Sequence, residues 1–117
     1  MPEVLRRERL AERALQLGER VKAGLRDLHQ RYEVIGDVRG HGLLWGVELI
    51  TDRRSRRPHP ELGGRIIRRC LELGLSMELV SLPGLASVWR IAPPPTATAG
   101  QIDEGLSILD QANRERV

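Results

Sequence analysis

Apolar residues recur every three or four positions through the first thirty, at Leu10, Ala14, Leu17, Val21, Leu25 and Leu28, with charges filling the remainder. That spacing predicts one long amphipathic helix. The period then changes. Val34-Ile35 and Leu43 to Leu49 read as two strands, and Gly40 and Gly42 between them permit a tight turn. "TDRRSRRPHP" reads as an exposed loop closed by prolines. Leu62, Ile66, Cys70 and Leu73 share one face of a second helix, which Gly74 is placed to end. Ser76 to Val80 and Ser87 to Ala92 give two more strands around a turn at Pro83-Gly84. Thr98 and Gln101 have capping-box spacing ahead of a last helix whose inward stripe is Ile102, Leu106 and Leu109. Paired strands separated by helices predict an α+β fold: a small, mostly antiparallel sheet of about four strands, helices packed on one face, and a long N-terminal helix.

Composition narrows the class. The 117 residues suffice for one domain, and 40% hydrophobic with 30% charged residues describes a globular chain rather than a disordered one. No apolar run approaches bilayer length and no signal-peptide pattern opens the chain. Cys70 is the single cysteine, which excludes an internal disulfide and suits a reducing compartment, so the cytoplasm is expected and no membrane partner is. The net charge is only +3, but Lys22 is the sole lysine and the other 18 basic residues are arginines. Chemistry that needs an amine nucleophile therefore has one candidate here, and its charged surroundings on the first helix mark it as a solvated surface residue.

Most other constellations have a structural explanation. Arg53, Arg54, Arg56 and Arg57 could attract phosphates, but Glu48, Asp52 and Glu61 flank them. The aromatics are few, whereas modules that stack bases present aromatics on a sheet face, so no nucleic-acid partner is expected. His29, His41, His59 and Cys70 have no metal-ligand spacing, and no G-x-S-x-G context exists for a hydrolase. Gly40, Gly42 and Gly46 miss the dinucleotide-binding spacing by one residue and lead into a strand.

Arg90 in "VWRIAPPPT" is the exception. Alternation puts Val88 and Arg90 on one strand face and Trp89 and Ile91 on the other. The segment looks like a buried strand, in which an isolated charge would need a partner, and nothing nearby in sequence supplies one. Pro93, Pro94 and Pro95 stiffen the exit. A rigidly supported guanidinium suits a carboxylate, which it grips with a two-pronged fork.

Several segments together, "GDVRGHGLLWGVELITDRR", "LGLSMELVSLPG" and "WRIAPPPTATAGQIDEGLSILDQA", resemble the C-terminal small domain of the class III aminotransferases, pyridoxal-phosphate enzymes of fold type I. Within that family the resemblance is to the 2,2-dialkylglycine decarboxylases, and it runs from about Leu10 onward without large gaps. It implies that residues 1–32 are a connecting helix and 33–117 the small domain, in a homo-oligomeric enzyme. It further implies that Arg90 binds the carboxylate of an amino or keto acid. Pyridoxal 5'-phosphate would serve the complete enzyme, bound by a preceding large domain. This chain alone is expected to bind no cofactor and no metal, to hold no catalytic residue, and to be inactive. The sequence departs from the family pattern at His41, Glu78, Trp89 and Pro95, and the changes at Glu78 and Trp89 bear on substrate identity. A non-catalytic assembly module built on the same fold is the competing reading.

Overall fold

The computed structural model describes residues 3–76, 78–82, 86–94 and 96–115, with side chains for 7–76, 88–94 and 96–115. The order is α1 (Glu3–Arg31), β1 (Ile35–His41), β2 (Leu44–Leu49), α2 (Pro60–Glu72), β3 (Glu78–Leu82), β4 (Ala86–Ile91) and α3 (Ala99–Glu115). The strands form one antiparallel sheet in the order β1-β2-β4-β3. All three helices lie on one face of it. Trp45, Val47, Leu49 and Trp89 point from the sheet into a core shared with Val21 and Leu25 of α1, Ile66 and Cys70 of α2, and Leu109 of α3. The α+β architecture expected from the sequence is the one observed.

Local chemistry explains the boundaries. Thr98 and Gln101 cap α3 reciprocally: Gln101 N–H donates to Thr98 Oγ1 at 3.1 Å, and Thr98 N–H to Gln101 Oε1 at 2.9 Å. Pro60 opens α2, where its missing N–H costs nothing, and Gly74 leaves that helix at φ +104°. Gly42 turns β1 into β2 at φ +58°, and its carbonyl accepts the Trp45 indole N–H at 2.7 Å. The Pro83-Gly84 turn and Pro95 lie outside the described residues.

Two expectations need correction. β1 runs to His41 rather than ending near Ile35, because pairing with β2 carries Asp37, Arg39 and Gly40 into the ladder despite their low strand preference. The apolar stripe of α1 does not bury Leu10, which is 39% exposed; the core begins at Leu17. A 29-residue helix is roughly 43 Å long, and its first turns, where Leu10 is exposed, lie beyond the part of the helix that enters the core.

Candidate functional site

Among the described residues, no helix lies on the second face of the sheet. Cross-strand pairing arranges it in rungs: Asp37, Glu48, Val88 and Val80 on one, Arg39, Gly46, Arg90 and Glu78 on the next, with Leu44 beyond. Directly opposed residues of an antiparallel pair share a face, so these positions form one surface. Arg90 is exposed on it, while Trp89 is fully buried on the other side and donates its indole N–H to the Gly63 carbonyl at 3.2 Å.

Arg90 therefore sits on the face the alternation assigns it, but not in a buried strand. A solvated guanidinium carries little desolvation penalty, so the burial argument for an external partner lapses. The chain also supplies an acid after all: Glu78 occupies the register position opposite Arg90. It is distant in sequence and near only through the β3–β4 pairing; its side chain lies outside the described residues. Trp89 is corrected likewise, since a side chain locked in the core cannot shape a pocket on the open face.

Arg39 and Asp37 were missed as a site, because a β1 ending at Ile35 leaves them in a turn. Asp37 Oδ1 accepts the Val38 N–H at 2.9 Å and Oδ2 accepts Arg39 Nε at 2.5 Å. The carboxylate thus holds the guanidinium by its inner nitrogen. The two terminal nitrogens of Arg39 have no partner among the described residues, and its side chain is 86% exposed. Glu48 on the same face pairs with Arg56 Nη2 at 3.5 Å.

The arginine-rich loop is tied into the fold. The Arg53 guanidinium donates to the His29 carbonyl at the end of α1. Arg56, at φ +52°, reaches the Gly36 carbonyl at 3.3 Å, an oxygen that also lies 3.3 Å from His29 Nε2. Gly36 sits where the β1–β2 register shifts, so these side chains serve a carbonyl the bulge takes out of the ladder. Asp52 orders the tip by accepting the Ser55 N–H at 2.7 Å, and this hydrogen bond holds its carboxyl below the usual range.

No cluster that could hold a metal occurs among the described residues. Burial pushes the Cys70 thiol up to about 11, which suits a core packing residue and not a nucleophile. Lys22 lies on α1, across the sheet from Arg90. An apolar groove of about 470 Å³ runs between the exit of β4 and the start of α3, past Leu75, Ile91, Pro93 and Ile102. None of the described helices is long and apolar enough to cross a membrane.

An α+β unit of this kind superposes on segments of solved transaminases. Among solved structures, a transaminase from the marine bacterium Virgibacillus superposes with a TM-score of 0.86 at 27% identity, over 97% of this chain and 26% of that one. An amine transaminase from an uncultivated Pseudomonas species, solved with pyridoxal phosphate bound, superposes at 0.83 with 25% identity, over 98% of this chain and 26% of that one. In sequence, residues 2–112 match the class-III aminotransferase family, and the chain belongs to it. It is 40% identical over 106 residues to a 5-aminovalerate aminotransferase of Pseudomonas aeruginosa, covering 91% of this chain and 24% of the relative. It is 37% identical over 113 residues to an alanine/serine racemase of Pyrococcus horikoshii, covering 97% and 23%. The chain spans about a quarter of the length of the relatives it matches.

The described residues do not themselves fit a pyridoxal phosphate site. The one lysine, Lys22, is on α1, which packs on the face of the sheet opposite the one that carries Arg90, so no step through the cofactor is derived from this chain.

Proposed function

We propose that this chain forms the substrate-carboxylate-binding part of a class III aminotransferase, with Arg90 as the group that takes the carboxylate of the amino or keto acid. The observation that carries the reading is the placement of Arg90 on the helix-free face, next to Gly46, which has no side chain to obstruct an approaching ligand. The backbone supports the position. Trp89 and Ile91 bracket Arg90 from the core side, and beyond Ile91 two prolines, Pro93 and Pro94, offer no N–H to a ladder. A fixed strand and a planar fork give a carboxylate one orientation, and a fixed substrate lets pyridoxal phosphate, bound elsewhere in the complete enzyme, supply its electron-withdrawing chemistry at one bond. Decarboxylation alongside amino transfer is the finer form of this reading, and it rests on the segments around Arg90 and Ile102 that resemble dialkylglycine decarboxylases.

The test is Arg90→Ala in the complete enzyme. Loss of a charged clamp should raise KM for carboxylate substrates by about 30-fold or more, the equivalent of about 2 kcal/mol, while pyridoxal phosphate affinity stays within about twofold. Unchanged KM values would defeat the role given to Arg90.

A further inference from the structure

We propose that Trp89 is a positioning residue for Arg90: the bond from its indole N–H to the Gly63 carbonyl of α2 sets how far the Arg90 backbone stands out on the open face of the sheet. This deepens the carboxylate reading of Arg90 and rests on it.

The two residues are neighbours on β4 and leave it on opposite faces, with Cα atoms about 3.8 Å apart. A displacement of the Trp89 ring along its own length is therefore passed to the Arg90 Cα. The ring is fully buried and its N–H meets the Gly63 oxygen at 3.2 Å. A buried donor left without an acceptor is costly, so the ring is held at the depth where this bond is made. A phenylalanine would fill much of the same space, but packing alone would set its depth.

Strand pairing leaves that depth open. Gly46 and Glu78 lie opposite Arg90 in the register, and Val47 and Leu79 opposite Trp89. Ladder hydrogen bonds run in the plane of the sheet, so they fix Arg90 along the strand and resist a slip of register. They resist a movement of the pleat out of that plane far less. A guanidinium grips a carboxylate in one orientation only when its donors are placed to within about 0.5 Å. The stop that gives this precision comes from the other side of the sheet, at Gly63.

Gly63 is itself a fixed point. It is buried in the first turn of α2, where its N–H donates to the His59 carbonyl at 3.1 Å. The His59 N–H in turn donates to the Leu49 carbonyl, at the end of β2, at 3.3 Å. Since β2 pairs with β4, the bonds close a circuit from β4 through α2 and β2 back to β4. An acceptor on a loosely seated helix would follow the ring; this one holds it.

The test uses the complete enzyme with alanine and ethylamine as donors. Trp89→Phe should raise KM for alanine about 3- to 10-fold, keep kcat within about twofold, and leave KM for ethylamine unchanged. Tyr32→Phe, which loosens a contact between α1 and α3, should lower the melting temperature and change neither KM, which separates positioning from stability. In an Arg90→Ala background W89F should have no further effect on KM for alanine. If W89F does not fold, replacing Trp89 by its benzothiophene isostere, which keeps the shape and lacks the N–H, gives the same readout. An unchanged KM for alanine, an equal rise for both donors, an equal rise in Y32F, or a rise that persists in the R90A background overturns the role of Trp89. An R90A enzyme with the parent's KM for alanine instead overturns the carboxylate reading of Arg90.

Discussion

Gly18 of α1 meets Gly42 of the β1–β2 turn backbone to backbone: a Cβ on Gly18 would stand 2.2 Å from the Gly42 carbonyl oxygen. That oxygen also accepts the Trp45 indole N–H, so it is fixed from below as well as pressed from above. The contact seats the long helix on the edge of the sheet. Gly18→Ala should cost about 1–3 kcal/mol through overpacking, read as a lower urea midpoint with unchanged slope. A variant as stable as the parent would show that the helix can lift without loss.

Tyr32 ties α1 to α3. Its hydroxyl donates to Asp110 Oδ1 at 2.5 Å, and Arg31 approaches the same carboxylate at 3.0 Å. Tyr32→Phe should destabilise by about 1–3 kcal/mol, since the carboxylate loses a charge-assisted hydrogen bond. Fluorescence-monitored unfolding would read it, and equal stabilities would count against the link.

Acid should weaken the same clasps. Burial alone would raise the Asp110 carboxyl, but the Tyr32 hydroxyl and the Arg31 guanidinium outweigh it and hold the group below its usual range. The Arg20 guanidinium holds Asp103 down, and Arg69, followed by Gln111, does so for Glu115. A depressed carboxylate contributes stability above its unfolded pKa and loses it as pH falls through the folded one. Stability should therefore decline from about pH 5 toward pH 2, and Asp110→Asn should flatten part of that slope. A pH-independent midpoint across this window would refute the linkage.

Lys22 provides a further check. It sits on α1, which packs on the buried face of the sheet, whereas Arg90 is exposed on the other. Mixing the chain with pyridoxal phosphate should give no saturable absorbance that Lys22→Ala removes. A stoichiometric chromophore dependent on that amine would contradict the division of labour proposed above.

Much of this was legible in the sequence, for identifiable reasons. The helices announce themselves through their stripes, and the Thr98–Gln101 box and Gly74 fix two of their ends locally. The alternation around Trp89 and Arg90 assigns their faces correctly because a strand's period needs no knowledge of its neighbours. The extent of β1 was hidden, since Gly36, Asp37 and Gly40 disfavour a strand and only pairing with β2 holds them in one. With β1 cut short, Arg39 and its anchor Asp37 had no face to belong to. The Glu78–Arg90 rung was invisible for a related reason: strand pairing is a long-range relationship that neither segment encodes alone.

The role of Arg90 is tested most directly by pairing two amino donors that differ only in the carboxylate, alanine and ethylamine, in the complete enzyme and its Arg90→Ala variant. The substitution should lower kcat/KM for alanine by about 30-fold or more while changing that for ethylamine by less than about threefold. A loss of equal size for both donors, or no loss for alanine, would mean that Arg90 does not read the carboxylate.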